Sequence, residues 1–562
     1  MAEHVSDPVE ETFDRDGAFP RLTEDQLAIL DRAGERRTLV PGDILFRPGD
    51  HYDFFALVHG RVAIVDDYGS PQESVVGVHG DSRFLGELSL ITGEPAFLTA
   101  VVRAPGEAIV VRRDALQALV GVNQQLGDLI LSALIGRRAL LIGLGSGLRL
   151  IGSRLTADTR RLREFLTRNR IPHTFLDLEA DAQAEALLRG LSIAPRETPI
   201  LVRGTTVLRN PTNIEVADAL NLRAPSTPDE VCDTVVIGAG PAGLGAAVYA
   251  ASEGLATVLV DSVATGGQAS TSARIENYLG FPAGVSGSEL AERAAVQAAR
   301  FGVRITVPAT AMALRFEDGY HVVDLDSGDC VRARTAVLAT GASYRRLSIP
   351  RLTEFEGAGV YYAATQVEAQ MCSGDPIAIV GAGNSAGQAA VFLGQHAQAV
   401  RLLVRGKELA SSMSRYLVDQ VEAAANVELN CRTEVRELHG NGSLESITVQ
   451  DNRTGEARSL STRALFLFLG ADPCTAWLGG QLSIDEDGFV VTGQDLTLTH
   501  LDPAGEGRER PPFLLETSRP GVFAVGDVRA GSIKRVASAV GEGATAVRLI
   551  HQYLALVAGA RV

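Results

Sequence analysis

The sequence predicts a multidomain protein with an N-terminal β-roll, a small α/β domain and two nucleotide-binding α/β domains. Three observations predict this class. Residues 21–135 contain short apolar runs of period two, and residues 146–223 alternate strand-like with helix-like segments. Residues 231–562 contain two glycine-rich motifs, each placed between a strand pattern and a helix pattern. A chain of 562 residues is too long for one core, which agrees with several domains.

The composition is that of an ordinary globular protein, with 46% hydrophobic and 21% charged residues. The formal net charge of −16 argues against binding to nucleic acid or to anionic membranes, because both depend on basic patches. No CxxC motif exists, so we expect neither a metal site nor a local dithiol, and we expect a reducing cytoplasm. The five cysteines are widely spaced: Cys232, Cys330, Cys372, Cys431 and Cys474.

The N-terminal region predicts a disordered tail followed by the β-roll. Residues 1–20 are acidic and polar, which is unlike a signal peptide. Over 21–140, runs such as "FFALVHGRVAIVDD" are broken by Gly-containing turns and are followed by helical spacing, which is typical of a β-roll with a C-terminal helix. The most apolar run, 139–152, is shorter than a membrane span and predicts a helix end, a linker and a buried strand.

The small α/β domain covers residues 146–223. Its pattern predicts strand, helix, strand and helix, then the hairpin "TPILVRGTTVLRN" and a closing helix. The Pro/Ser/Thr-rich stretch 223–230 predicts a linker to the nucleotide-binding domains.

The first glycine-rich motif, "DTVVIGAGPAGLGAAVYAASEGLATVLVD" (233–261), has the pattern of a dinucleotide-binding Rossmann unit. Gly238 allows the tight turn, Gly240 lets the backbone approach a pyrophosphate, and Gly243 allows close packing of helix on strand. The helix N-terminus attracts phosphate. Asp261 ends the second strand, where a carboxylate accepts hydrogen bonds from ribose hydroxyls.

The second motif, "DPIAIVGAGNSAGQAAVFLGQHAQAVRLLVRG" (375–406), repeats the pattern with Gly381 and Gly383 but carries no acid at the end of its second strand. Arg405, with Lys407, would suit a 2′-phosphate, which favours NADPH over NADH. A solvated strand-end charge is the alternative for Arg405. Two dinucleotide sites in one chain imply electron transfer between a nicotinamide and a flavin.

Four further stretches have the order and spacing of motifs in the low-molecular-weight bacterial thioredoxin reductases. They are "GGQAS", "IENYLGFP", "VLATGASYR" and "GVFAVGDVRAGSIKRVASAVGEGATA". Residues 230–562 resemble that family, which implies a homodimer with an FAD domain over 231–345 and 480–562 and an NAD(P)H domain over 346–479. The resemblance implies FAD contacts from Gly238, Gly240, Pro241, Ala242, Gly243, Asp261, Gly266, Gln268, Asn277, Ala339, Thr340, Gly341, Gly526, Asp527, Arg535 and Val536. It implies NADPH contacts from Gly381, Gly383, Asn384, Ser385, Ala386, Arg405 and Lys407.

One departure from that family concerns its redox-active turn. The family has Cys-Ala-Thr-Cys where this chain has Ala363-Ala364-Thr365-Gln366, so Ala363 and Gln366 stand at the two cysteine positions. Disulfide chemistry needs a thiolate and a resolving thiol, and neither alanine nor glutamine supplies one. Cys372 lies six residues further on without a neighbour in sequence and is expected to be structural.

The β-roll segment "PGDILFRPGD…FLGELSLITGEP" resembles cyclic-nucleotide-binding domains of the cAMP-receptor type. The resemblance implies an effector site at Gly86, Glu87, Leu88 and Thr99, with Glu87 on the ribose. The family has an arginine for the cyclic phosphate after its proline, but Ala96 follows Pro95 here. Loss of that charged hydrogen bond predicts roughly ten- to a hundredfold weaker cyclic nucleotide binding. The alternatives are another ligand, or a purely structural and dimerising role.

Residues 146–223 resemble glutaredoxin and thioredoxin-like domains, with a cis-proline expected at Pro199. Ser153 and Thr156 stand near the cysteine positions, so dithiol exchange is not expected there.

These observations favour a thioredoxin reductase-like NADPH oxidoreductase with FAD that unloads electrons directly on a ferredoxin or flavodoxin, a quinone or a partner disulfide. The alternative is a regulatory flavoprotein that senses redox state or nucleotides and turns over little. The loop over 497–518 has no counterpart that we can interpret.

Overall fold

The structure is a computed structural model of the chain, and it has two compact units. The first comprises Met1–Thr227, Ser262–Ala264 and Val296–Thr310, and the second comprises Pro228–Asp261, Thr265–Ala295 and Ala311–Val562. The structure describes residues 10–15, 17–70, 73–145, 147–190, 193–203, 206–223, 230–272, 275, 278–356, 358–362, 364, 368–369, 372–409, 413–496 and 510–559.

The first unit contains the β-roll that the sequence predicts. Its strands are antiparallel in the order β1–β5–β3–β4, with β2 beside β5. One apolar face of helix α4, including Leu126 and Ile130, packs on Phe54 and Phe84 of the roll. The elements are α1 (Glu24–Ala33), β1 (Glu35–Leu39), β2 (Ile44–Phe46), β3 (Phe54–Asp66), β4 (Ser74–His79), α2 (Ser89–Thr92), β5 (Thr99–Val111), α3 (Arg113–Val122) and α4 (Gln124–Leu144).

The disordered tail predicted over residues 1–20 is wrong for the part of it that the structure describes, 10–15 and 17–20. Ala18 and Phe19 are buried, and Thr12 exchanges hydrogen bonds with Val78 of β4. The acidic composition gave no sign that this segment is ordered, because two apolar side chains and the exposed edge of β4 are enough to fix it on the β-roll.

The small α/β domain follows within the same unit, and every element that its pattern predicts is present. The sheet order is β7–β6–β8–β9, with β6 parallel to β7 and the other pairs antiparallel. Phe97 and Leu98 of the β-roll and Leu141 of α4 share a core with Leu150 and Leu162, so the two domains pack together. The elements are β6 (Leu148–Gly152), α5 (Ala157–Arg168), β7 (His173–Asp177), α6 (Ala182–Gly190), β8 (Ile200–Arg203), β9 (Thr206–Arg209) and α7 (Asn213–Ala219).

From residue 231 onward, strands alternate with helices, as expected for doubly wound α/β domains. The elements are β10 (Val231–Ile237), α8 (Pro241–Ser252), β11 (Thr257–Val260), α9 (Gly287–Arg300), β12 (Arg304–Thr306), β13 (Ala311–Glu317), β14 (Tyr320–Leu325), β15 (Cys330–Leu338), β16 (Ala342–Tyr344), α10 (Leu352–Phe355), β17 (Val360–Tyr361), β18 (Pro376–Val380), α11 (Asn384–Gly394), β19 (Ala399–Val404), α12 (Arg415–Ala423), β20 (Val427–Cys431), β21 (Thr433–Gly440), β22 (Leu444–Asp451), β23 (Ala457–Ser461), β24 (Ala464–Leu467), β25 (Ala471–Pro473), β26 (Val522–Ala524) and α13 (Val536–Gly559).

The second unit contains two parallel sheets. In the first, β10 lies between β11 and β15, and β26 pairs in parallel beside the carboxyl end of β15. Strands β14 and β13 continue the sheet antiparallel. The second has the order β17–β24–β18–β19–β20 and is accompanied by the antiparallel sheet β21–β22–β23. The ribbon β16–β25 is antiparallel. In each parallel sheet, a ligand is expected beyond the carboxyl ends of the strands.

Helix α13 packs closely on helix α8. A Cβ atom at Gly543 would overlap the Ala242 carbonyl oxygen, so glycine is required for this approach. None of the described helices is both long and apolar enough to cross a membrane.

Candidate functional site

The first glycine turn joins β10 to α8 and has the geometry that its motif predicts. Gly238 has a φ of 105°, and a Cβ atom there would overlap the carbonyl oxygen of Ala339. Gly243 faces the turn so closely that a Cβ atom would overlap the Gly238 oxygen. Gly240 is the N-cap of α8, and Pro241 follows it in the first turn of the helix. The unpaired N–H groups of this helix end are therefore available for phosphate.

Asp261 and a second glycine loop lie beside this turn. Asp261 follows β11, and its Oδ2 accepts a 2.8 Å hydrogen bond from the Ala239 amide. The Gly266 amide donates to the Ala239 carbonyl at 2.7 Å. Gly267 is so near Gly240 that a Cβ atom on it would lie 2.9 Å from the Gly240 Cα. The turn, the acid and the second loop therefore form one continuous surface.

Gly526 and Asp527 complete that surface from the C-terminal segment. A Cβ atom on Gly526 would lie 2.8 Å from the Ala242 Cβ, and the Gly526 amide donates to Glu542 Oε2 at 2.7 Å. Asp527 is half-buried, and burial raises its pKa while the nearby Lys534 lowers it. The Lys534 Nζ donates to the Asp527 carbonyl oxygen at 2.6 Å.

The remaining predicted FAD residues lie along the same edge. The Gln268 side chain donates to the Ala342 carbonyl at 3.5 Å, and the Thr340 hydroxyl donates to the Cys474 carbonyl at 2.9 Å. Gly341 has a φ of 66°. Exposed Arg535 immediately precedes Val536, the first residue of α13. The structure thus brings these predicted residues together, except Asn277, which lies outside the described residues.

The second glycine turn joins β18 to α11. Gly381 has a φ of 151°, and a Cβ atom there would lie 2.6 Å from the Phe468 oxygen and 2.9 Å from the Ala386 Cβ. Gly383 is the N-cap of α11. Asn384 accepts a 2.7 Å hydrogen bond from the Ser414 amide through its Oδ1. This N-terminus therefore has the same geometry as the first turn, and the adjacent Ser385 is exposed.

Two cations follow β19 near this second turn. Arg405 and Lys407 are both exposed, and neither forms an ion pair in the part of the chain that the structure describes. The Arg405 backbone is fixed by the Asn452 side chain, which donates to the Arg405 carbonyl at 2.9 Å. Both charges are therefore available to a phosphate.

The structure joins none of the five cysteines in a disulfide. All five are free thiols. Cys372 is 2% exposed, and burial raises its pKa to about 11, with Asp375 and Glu368 acting in the same direction. Such a thiol is neutral and poorly reactive at pH 7. Ala363 and Gln366 lie outside the described residues.

The predicted effector residues of the β-roll divide into two pairs. Gly86, with a φ of 118°, and Glu87 line a cavity that is partly open to solvent. Leu88 instead packs in the core beneath α4, and Thr99 is buried at the start of β5. Leu88 and Thr99 do not belong to the cavity wall.

Sequence reasoning missed the arginines that organise this region. Arg138 is 2% exposed and donates from Nε to Glu87 at 2.7 Å and from Nη2 to Glu94 at 2.5 Å. Arg137, its neighbour on α4, lines the cavity. The available signal was two consecutive arginines within a run of leucines and isoleucines, where charges are rarely buried without a partner.

Two dinucleotide turns, each at the carboxyl edge of its own parallel sheet, characterise oxidoreductases that couple a flavin with a nicotinamide. Comparison with known proteins makes the assignment specific. The family model described as pyridine nucleotide-disulphide oxidoreductase matches residues 232–543, and the chain belongs to this family. A cyclic nucleotide-binding domain matches residues 36–123. The chain is therefore a thioredoxin reductase-like protein fused to that domain.

Two relatives each match a little more than half of this chain and nearly their own whole length. A thioredoxin reductase of Streptomyces clavuligerus is 30% identical over 335 residues, which is 58% of this chain and 96% of the relative. A "34.2 kDa protein in rubredoxin operon" of Clostridium pasteurianum is 29% identical, over 57% of this chain and 97% of the relative. The crystal structure of T. acidophilum thioredoxin reductase matches with a TM-score of 0.51 and 27% identity, over 58% of this chain and 100% of the other.

Proposed function

We propose that this protein is an FAD-dependent NADPH oxidoreductase that passes electrons directly to a separate acceptor, without a dithiol of its own. The observation that carries the proposal is that no suitable cysteine thiol is found at the positions of the family's redox-active turn. Ala363 and Gln366 occupy the positions of the family's cysteines, and Cys372, the nearest cysteine in sequence, is buried with a raised pKa. Electrons must therefore leave by another route.

The residues around the first glycine turn fit FAD. Gly240 and Gly267 meet without side chains between them, and any Cβ atom on Gly267 would press on the Gly240 Cα. The N-terminus of α8 supplies N–H groups for the pyrophosphate, and the Asp261 carboxylate is placed at the end of β11 for a ribose. In this proposal, the Asp527 carboxylate would accept a hydrogen bond from a ribityl hydroxyl of FAD. Its raised pKa agrees with a half-buried carboxyl that a polar ligand would solvate.

The second turn fits NADPH. Gly381 and Gly383 leave the N-terminus of α11 accessible, while Arg405 and Lys407 offer exposed positive charges for the 2′-phosphate. A planar guanidinium pairs with a phosphate through two parallel hydrogen bonds. Because no acidic residue follows β19 directly, no carboxylate at that strand end accepts a hydrogen bond from the 2′-hydroxyl of NADH.

Bound FAD supplies the ability to take a hydride from NADPH and release electrons singly or in pairs. The chain binds and orients both nucleotides through the two glycine turns. Val536 begins α13, and the positive end of that helix dipole favours negative charge on a nearby ring. The exposed Lys534, whose pKa is lowered by partial desolvation, adds a donor beside Asp527.

The acceptor that we favour is a ferredoxin- or flavodoxin-type carrier, ahead of a quinone or the disulfide of a partner protein. Direct transfer suits one-electron carriers, since no thiol step intervenes. The relative named for a rubredoxin operon supports a protein carrier as the acceptor class.

The test is anaerobic stopped-flow kinetics of the purified flavoprotein. NADPH should bleach the flavin absorbance within the time of turnover, and NADH should do so at a lower rate. Reoxidation is then measured with ferredoxin, flavodoxin, a quinone, thioredoxin and oxygen separately. Fast reoxidation by a carrier supports the proposal. Reoxidation by oxygen alone favours a sensor, and two cysteines that cycle with the flavin would refute the thiol-free route.

We also propose that residues 146–223 form a thioredoxin-like domain without redox chemistry. The sheet order β7–β6–β8–β9 supports this, and the Thr198–Pro199 peptide bond is cis, as expected from the sequence. Ser153 donates to Glu179 at 2.7 Å, and Thr156 caps α5, so both hydroxyls have structural partners.

A further inference from the structure

The β-roll contains a cavity of about 370 Å³, which is within the size range of small-molecule pockets. It lies among β4, helix α4 and the segment from Gly86 to Thr99, which we call the cassette. Much of its wall is apolar: Phe46, Ile64, Val76, Phe97, Leu140 and Leu144 belong to it. A ligand that fills this space must therefore be mainly apolar.

One wall of the cavity carries a buried cation, Arg137, that forms no ion pair within the described residues, and the charges of Asp14 and Glu87 act on it from further away. Arg137 is 5% exposed; its Nε donates to the Ala18 carbonyl at 2.7 Å and its Nη1 to the Gly86 carbonyl at 2.8 Å. The guanidinium lies 4.5 Å from the Phe84 ring centroid and 5.4 Å from that of Phe19. Its Nη2 has no hydrogen-bond partner, and Arg137 makes no ion pair, within the residues that the structure describes.

Burying such a charge is unfavourable unless an anion accompanies it. The protein nevertheless holds the guanidinium in place through two carbonyls and two aromatic rings. Two other basic residues, His79 and Arg15, line the cavity. Burial and the neighbouring arginines keep the pKa of His79 well below its ordinary value, so that ring is neutral near pH 7. Arg15 lines the cavity from an exposed position.

The groups that a cyclic nucleotide would need are occupied or missing. Glu87 would take the ribose, but its Oε2 accepts from Arg138 at 2.7 Å and its Oε1 from the Ser89 amide at 3.1 Å. Ala96, buried, stands where the cassette arginine is expected. Phe97 and Leu98, which follow it, pack into the core shared with the small α/β domain.

We infer that this cavity binds an apolar monocarboxylate rather than a cyclic nucleotide, with Arg137 pairing the carboxylate. The single buried cation matches one negative charge, and the leucine and phenylalanine walls match an aryl or alkyl body. Helix α4, and not the cassette, thus provides the anion anchor. The site is independent of the flavin chemistry proposed above, so either proposal can fail alone.

The test is calorimetric titration of the full-length flavoprotein with three probes: 4-phenylbutyrate, its uncharged counterpart 4-phenylbutanol, and 3′,5′-cyclic AMP. We expect 4-phenylbutyrate to bind most tightly. Arg137→Met should weaken its binding by roughly ten- to a hundredfold, the effect of losing a charged hydrogen bond. The same substitution should leave the weaker binding of 4-phenylbutanol unchanged.

Two further variants keep the test decisive if Arg137→Met fails to fold. Val76→Trp fills the cavity and retains Arg137, so it should abolish binding of both phenyl probes. Arg112→Met removes an exposed arginine of the same domain and should change nothing. Tighter binding of cyclic AMP than of 4-phenylbutyrate overturns the inference. So does 4-phenylbutyrate binding that survives Val76→Trp. Ala96→Arg is expected to improve cyclic AMP binding, because it restores the cassette cation.

Discussion

Gly267 packs directly on Gly240, so closely that a Cβ atom on Gly267 would lie 2.9 Å from the Gly240 Cα. Gly240 caps α8, and Gly267 belongs to the loop after β11. The two loops therefore meet backbone to backbone at the N-cap of α8. This contact shapes the site that we assign to FAD.

The first prediction concerns that contact. Gly267→Ala should reduce flavin retention, because the added methyl group forces the two loops apart. Overpacking of this kind costs about 1–3 kcal/mol, which corresponds to roughly ten- to a hundredfold weaker binding. The flavin-to-protein absorbance ratio after dialysis measures it. Gly254→Ala is the matched control, since its φ of 89° is also positive but open space surrounds it. Equal flavin retention in the two variants would contradict the prediction.

The second prediction concerns the buried ion cluster of the β-roll. Arg138→Met leaves Glu87 and Glu94 buried without their cation, which should destabilise the β-roll by about 3–5 kcal/mol. Amide hydrogen exchange in strands β3 and β5, measured on the full chain, should become faster if the β-roll is destabilised in this way. Arg112→Met breaks an exposed pair with Asp114, in which the arginine side chain is 78% exposed, and should leave exchange unchanged. Slow exchange in both variants would show that the cluster contributes little.

The secondary structure could be predicted well wherever local pattern decides it. In each element of 146–223, the apolar residues recur at a regular spacing without interruption. Strand β10, helix α8 and strand β11 follow from the spacing of the glycines alone. The positions of Gly238, Gly243 and Gly381 were predictable because only glycine adopts those turns without overlap.

The features that depend on tertiary packing could not be predicted. Arg137 and Arg138 are consecutive on α4, yet one binds carbonyls at the cavity and the other binds Glu87 and Glu94. Nothing in the local sequence distinguishes them, because both roles depend on which loops pack on the helix. The burial of Phe19 has the same origin, since it depends on the free edge of β4.

The third prediction concerns the choice of nicotinamide. Arg405→Met should raise the KM for NADPH roughly ten- to a hundredfold, because a charged hydrogen bond to the 2′-phosphate is lost. The KM for NADH and the kcat with either nucleotide should hardly change. Steady-state reduction of a dye acceptor measures both nucleotides. Arg436→Met, an exposed arginine on β21, is the control. An equal effect on NADH and NADPH would mean that Arg405 is only a surface charge.

The last prediction concerns Cys372 and pH. Its thiol has a pKa of about 11 against an ordinary value of 9.0, because burial disfavours the thiolate. Alkylation by iodoacetamide, followed by mass spectrometry, should therefore be slow at pH 8 and rise about tenfold per pH unit towards 11. The half-exposed Cys330 reports access of the reagent.

The raised pKa also predicts the direction of a stability change. The folded state holds the proton more tightly than the unfolded one, so this contribution is complete below about pH 9 and is lost as pH rises through about 11. Cys372→Ser should remove that part of the alkaline loss of stability and leave flavin reduction by NADPH unchanged. Labelling of the five cysteines should be the same with and without NADPH. If two of them change together on reduction, electrons pass through sulfur in this chain, and direct transfer from the flavin is wrong.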